Sequence, residues 1–242
     1  MAPEAPNRLS ELPELRGRTG VFAGRRQAGD VLAGMLADCP VGGAIVLAIP
    51  AGGVPVGAAI ARRLGLPLDV AVVSKITPRW NSEVGYGAVA FDGTVRLNES
   101  LLPQLGLTER QIREDVATTS QKVRRRVAAL RGQRAMPDLT RRTTILVDDG
   151  LASGFTMQTA VEAVRKAGAQ RIVIAVPTAH GQAVEPLLAA ADAIYCANVR
   201  GGWSFAVADA YRRWRDVDEA EAAEILAQFA AGRPDAPPQS PP

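Results

Sequence analysis

The residues best able to do chemistry lie in ILVDDGLASGFT, positions 145–156. A β-branched apolar run ends there in two adjacent carboxylates, Asp148 and Asp149. A loop of small residues, Gly150 to Gly154, follows and leads into a helical pattern. Gly and Ser let backbone N–H groups turn toward an anion, and the helix N-terminus adds its dipole, so the loop suits a phosphate. Ser153 and Thr156 add hydroxyl donors. The two carboxylates would repel that phosphate unless they face something else. Vicinal sugar hydroxyls, or a metal bound to them, satisfy both ends. The pattern therefore points to a ribose 5-phosphate cradle, with the diol on the acid pair and the phosphate on the loop.

Other readings of these residues are weaker. An acid pair can cap a helix or belong to a receiver-type acid cluster, but receivers place their pair after the first strand, and at least two strands precede this one. A nucleophile elbow needs G-x-S-x-G, whereas Gly150 lies three residues before Ser153 and the sole histidine is His180. Walker A and G-x-G-x-x-G loops are absent from the sequence. Lys75 reads as a cation at a strand end. Glu83 is a candidate acceptor-side base, although a solvated loop carboxylate is the plainer reading. His180 falls on the ligand side, but a lone histidine is more often structural. Trp203, Phe205, Tyr211 and Trp214 form an aromatic cluster that could stack an aromatic acceptor or simply pack as a hood.

The surrounding pattern supplies the scaffold. Strands are expected at 43–50, 68–74, 143–149, 171–177 and 193–199. Helices are expected at 54–64, from Thr108 to Gly132, at 154–167 and near 182–191. Residues 86–97 read as a hairpin turning at Asp92-Gly93. Strands alternating with helices imply an α/β fold, a doubly wound parallel sheet flanked by helices, with ligands at the strands' carboxyl ends. That rule selects loops 50–53, 75–87 and 148–156. Residues 1–20 and the Pro-rich tail 231–242 are expected to be flexible, leaving a domain over 21–230.

Composition bounds the alternatives. The chain has 242 residues, 47% hydrophobic and 22% charged, which excludes disordered, collagen-like and coiled-coil classes. No apolar stretch reaches the roughly 18 residues of a spanning helix, and no secretory signal is read at the N-terminus. Two cysteines without CxxC and one histidine argue against a disulfide framework or a zinc site. A cytoplasmic location is expected, with no membrane partner. The net charge of +3 conceals a basic run, Lys122 to Arg142, with eight basic residues against Asp138 alone. A solvated helix face or a small-polyanion site is the commoner meaning of such a run, and nucleic acid the minor one.

The segment 145–169 closely resembles the phosphoribosyl-pyrophosphate motif of type I phosphoribosyltransferases. FAGRRQAGDVLAGML (22–36), IPAGGVPVGAAIA (49–61), VVSKITPRWNSEVGYGAVA (72–90) and FAVADAYRRWRDVDEAE (205–221) resemble the blocks of one bacterial group in that superfamily, some of whose members are fused to hydrolases. The resemblance covers roughly residues 21–229. It implies a type I fold with a small hood (hairpin and basic helix about 86–134, aromatic segment about 199–217) and Mg2+ as cofactor. The partners it implies are phosphoribosyl pyrophosphate and a small-molecule acceptor, with a homodimer expected by analogy.

By the same resemblance, Asp148 and Asp149 would hold the diol and, through substrate or water, the metal. Ala152, Ser153, Gly154, Phe155 and Thr156 would hold the 5-phosphate. Ala51, Gly52 and Gly53 would offer amides to pyrophosphate, and Lys75 would neutralise it. The chain departs from the group at Ala51 and Ser74, where arginines are usual, and at Phe155, where a small residue is usual. Arg79 or an arginine of the 122–142 run is the candidate replacement. Ala152 stands where 6-oxopurine enzymes carry an acid, which argues against hypoxanthine–guanine activity. The leading expectation is a phosphoribosyltransferase with an unidentified acceptor. The alternative is a non-catalytic or regulatory ribose-phosphate-binding protein.

Overall fold

A computed structural model describes residues 8–39, 42–81 and 84–232. The apolar runs build a six-stranded, wholly parallel sheet: β1 (Leu9–Ser10), β9 (Ala193–Arg200), β8 (Arg171–His180), β7 (Thr143–Val147), β2 (Ile45–Ala48) and β3 (Leu68–Val70), in that spatial order. Side chains alternate across it as the strand period requires. Val46, Ala48, Ile145 and Val147 enter one core, and Ile45, Leu47 and Leu146 the other. Helices α1 (Arg25–Met35), α2 (Gly53–Leu64) and α7 (Glu219–Ala231) bury Leu32, Ile60 and Leu226 in the first core. Helices α5 (Phe155–Lys166) and α6 (Gly181–Ala190) bury Met157, Val161 and Leu187 in the second. Cover on both faces explains why the strands read as continuous apolar runs. No described helix is long and apolar enough to cross a membrane.

Three features differ from the sequence reading. The strand expected at 68–74 is two strands. β3 stays in the main sheet, and β4 (Val73–Ile76) leaves it to pair antiparallel with β5 (Gly87–Ala90), which pairs in turn with β6 (Val95–Leu97). In the run LDVAVV the one polar residue, Asp69, falls inside β3, and the break itself is at apolar Ala71-Val72, with no turn residue to mark it. The described part of the N-terminal segment, expected to be flexible, is pinned. Leu12 and Leu15 pack on the first core, the Leu12 N–H donates to the Ala197 carbonyl, and the Asn198 amide donates to the Arg18 carbonyl. The tail is helical through Ala231, and its last ten residues lie outside the described chain.

The long helix α4 (Glu109–Arg131) starts where expected, on a capping box between Thr108 and Gln111. It is fastened at both ends. The Tyr86 hydroxyl donates to buried Asp115 at 2.9 Å, and Arg131 forms a buried ion pair with Asp69 at 3.2 Å while donating to the Val70 carbonyl. Removing one partner of such a pair costs about 3–5 kcal/mol, so the C-terminal half of α4 is held firmly against β3. The middle of its basic face is thereby set beside the carboxyl ends of β2 and β7.

Candidate active site

The acid pair stands just beyond β7, as expected, and faces the turn after β2. The two segments meet so closely that a Cβ on Gly52 would lie 2.0 Å from Asp149 Oδ2, and one on Gly53 2.7 Å from the Val147 carbonyl oxygen. Only glycine fits either position. The Pro50–Ala51 peptide is cis. Among the described residues the Ala51 and Gly52 N–H groups find no acceptor, whereas that of Gly53 is bonded to the Ile49 carbonyl at 3.0 Å. The expected anion-facing turn therefore has two free amides, and Gly53 contributes only closeness of approach.

The two carboxylates are treated differently by their surroundings. Asp149 receives the Arg25 guanidinium, Nε to Oδ2 at 2.8 Å, with only 10% and 15% of the two side chains exposed. Arg25 lies 3.8 Å from the Trp214 ring centroid and donates to the Arg215 carbonyl at 2.7 Å, and the Tyr211 hydroxyl donates to the Asp149 carbonyl at 2.6 Å. The aromatic segment thus holds the second acid from behind. Asp148 accepts the Asp149 N–H at 2.8 Å and has no cation in contact among the described residues. Burial, and then the charge of Asp149, push its carboxyl well above the usual range.

Together these acids wall a cavity of about 410 Å3 whose other lining includes Gly52, Ser74, Lys75, Thr156, Lys122 and Arg126. Lys75, expected just past a strand end, lies instead within β4, paired with Ala88, and lines this cavity. Thr156 does too, on the first turn of α5, a helix that no side chain caps. Gly154, at φ 73°, makes the turn into that helix, and the N–H groups of Ala152, Ser153, Gly154 and Thr156 find no acceptor among the described residues. Phe155 donates its N–H to Ser153 Oγ at 3.4 Å and turns its ring away to the second core, beneath Arg96. Ala152 and Ser153 of the loop stay exposed beside it, whereas Gly154 is buried.

Ala152 lines a second cavity, of about 700 Å3, with His180, Gln182, Trp203 and Phe205. Here the His180 ring meets Phe205 edge-on at 5.3 Å and contacts the Gly202 carbonyl, while Trp203 is fully exposed. The aromatic cluster is therefore divided. Tyr211 and Trp214 support the acid pair, and Trp203 and Phe205 border open space. Arg79, a candidate replacement cation, is instead spent on α4, bonded to Glu114 at 3.2 Å and near Asp115 at 3.8 Å. Glu83 lies outside the described residues.

The sequence profile of the phosphoribosyl transferase domain matches residues 32–210. The chain belongs to the phosphoribosyl transferase domain family. Two curated Mycobacterium tuberculosis proteins, from strains H37Rv and CDC 1551, carry a provisional phosphoribosyl transferase name and are each 33% identical over 208 residues. The match covers 85% of this chain and 46% of theirs, so the chain spans less than half the length of these relatives. The crystal structure of TT1426 from Thermus thermophilus superposes with a TM-score of 0.71 at 34% identity, covering 86% of this chain and 98% of that one. The type I phosphoribosyltransferase fold expected from the sequence is the fold observed.

Within this phosphoribosyltransferase fold, sequence reasoning passed over Arg25, Lys122 and the specific place of Arg126. Arg25 lies 124 residues from its acid. Only the density of basic residues in 122–142 signalled that α4 turns cations toward the cavity, and the spacing of Lys122 and Arg126, four apart on one helix face, was the available clue.

Proposed function

We propose that this phosphoribosyl transferase domain transfers the 5-phosphoribosyl group from phosphoribosyl pyrophosphate to a small-molecule acceptor. The observation that carries the reading is the cavity that Asp148 and Asp149 share with Gly52, with Thr156 at the start of α5, and with Lys75, Lys122 and Arg126. The free amides of Ala152, Ser153, Gly154 and Thr156 and the Thr156 hydroxyl bind the 5-phosphate at the α5 N-terminus. Asp148 and Asp149 accept hydrogen bonds from the ribose diol. The bond from the anomeric carbon to pyrophosphate breaks as that carbon gains positive charge, which the nearby carboxylates oppose electrostatically. The Ala51 and Gly52 amides and Lys75 receive the negative charge of the departing pyrophosphate. The acceptor's lone pair forms the new bond, and its proton passes to solvent.

No group of three or more His, Cys, Asp or Glu side chains placed to hold a metal ion is present among the described residues. Two carboxylates without a third ligand fit Mg2+, which is commonly held by one or two carboxylates plus substrate oxygens and water. Bound there, Mg2+ would neutralise pyrophosphate charge as it leaves. Asp148, which no arginine contacts among the described residues, is the better placed of the two acids to meet it. The open cavity lined by His180, Trp203 and Phe205, adjoining the phosphate loop at Ala152, is where the acceptor is offered a flat apolar surface.

The test is acceptor-dependent release of pyrophosphate from phosphoribosyl pyrophosphate across a panel of nucleobases, amines and hydroxylated metabolites. Release by wild type that is lost in Asp149→Asn supports transfer. Binding of ribose 5-phosphate without turnover on any acceptor supports the non-catalytic reading instead.

A further inference from the structure

The cations around the cavity do not come mainly from the strand-end loops. Position 51 is alanine and position 74 is serine, so neither contributes charge. The Arg126 guanidinium reaches both places, donating to the Pro50 carbonyl and to Ser74 Oγ, each at 3.2 Å. Its Nε is bonded to Glu219 on α7, and its side chain is only 14% exposed. Four bonds to three segments make Arg126 an anchor that fixes α4 over the cavity. One turn earlier, Lys122 lines the same cavity and is exposed. Among the described residues it has no acidic partner within 4 Å, and neither does Lys75 across the cavity. Two ammonium groups without an acidic partner and the free amide of Gly52 therefore line one space together with the acids.

We propose that Lys122 of α4, with Lys75, forms the clamp for the pyrophosphate moiety of the donor, and that Arg126 is the positioning residue that holds the helix to it. This rests on the transferase reading and assigns its pyrophosphate specificity to the basic helix. Arg124 and Arg125 belong to the same basic run, are exposed, and do not line the cavity. They separate a local clamp from a general positive field.

The experiment is titration calorimetry of pyrophosphate and of ribose 5-phosphate, each with Mg2+, on wild type, Lys122→Gln and Arg124→Gln/Arg125→Gln. Losing one charge-assisted contact at an exposed site weakens pyrophosphate binding about tenfold in Lys122→Gln and leaves ribose 5-phosphate affinity unchanged. The double arginine variant stays within about twofold of wild type. Equal pyrophosphate affinity in Lys122→Gln and wild type, or equal weakening in the double variant, overturns the clamp while leaving the transferase reading intact. Wild type that binds neither ligand overturns the transferase reading itself.

Discussion

Replacing Arg25 should expose how the second carboxylate is held. The Arg25–Asp149 pair spans 2.8 Å with side chains 10% and 15% exposed. Breaking a fully buried pair costs about 3–5 kcal/mol, and a surface pair is worth at most about 1 kcal/mol. This pair is closer to the buried limit, so its loss costs about 2–3 kcal/mol. Arg25→Ala also removes the stacking on Trp214, worth about 1 kcal/mol, for a total near 3–4 kcal/mol. A double-mutant cycle with Asp149→Ala isolates the pair, because the stacking and the bond to the Arg215 carbonyl cancel between its arms. Urea unfolding of the four proteins should give a coupling energy of about 2 kcal/mol. A coupling below about 0.5 kcal/mol would refute the view that Arg25 supports the acid.

Further expectations follow from the same geometry. Because the folded Asp148 carboxyl titrates well above the usual range, the folded state binds its proton more tightly than the unfolded chain. The contribution of Asp148 to stability is thus full below about pH 4 and declines as pH rises through the raised value. Asp148→Asn keeps the acceptor for the Asp149 N–H and removes the charge, so it should be more stable than wild type at pH 8. Unfolding curves across pH 4–8 should show that gain shrinking toward acid, with transfer activity absent. Gly52→Ala should displace the Asp149 carboxylate, whose Oδ2 lies 2.0 Å from the new Cβ, abolishing ribose 5-phosphate binding by calorimetry. Tyr211→Phe leaves the Asp149 carbonyl without its 2.6 Å donor, and denaturation should show a loss of about 1–2 kcal/mol.

What was readable in the sequence is what local physics controls. Asp148, Asp149 and the loop to Thr156 are contiguous, so one strand end and one helix start position them together. Thr108 and Gly132 bound α4 through capping, which acts over three or four residues. The strand break at Ala71-Val72 was hidden because β3 and β4 each need apolar side chains, and a change of sheet leaves no local mark. Arg25 and Lys122 were hidden, and Arg126 was legible only as one arginine of the 122–142 run, for a related reason. Each reaches the site from another element, and only the tertiary course of α1 and α4 brings it there. Leu12 and Leu15, among prolines and glutamates, gave too sparse a pattern to show that the N-terminal segment completes a sheet edge.

The central claim is that the loop amides, the acid pair and the facing cations form a single site for phosphoribosyl pyrophosphate. Titration calorimetry of that compound with Mg2+ into wild type and Asp149→Asn tests this directly. Saturable binding to wild type at one molecule per chain, lost or weakened at least tenfold in Asp149→Asn, is the predicted result. Wild type that takes up no phosphoribosyl pyrophosphate, or an Asp149→Asn variant that binds it as tightly as wild type, would contradict it.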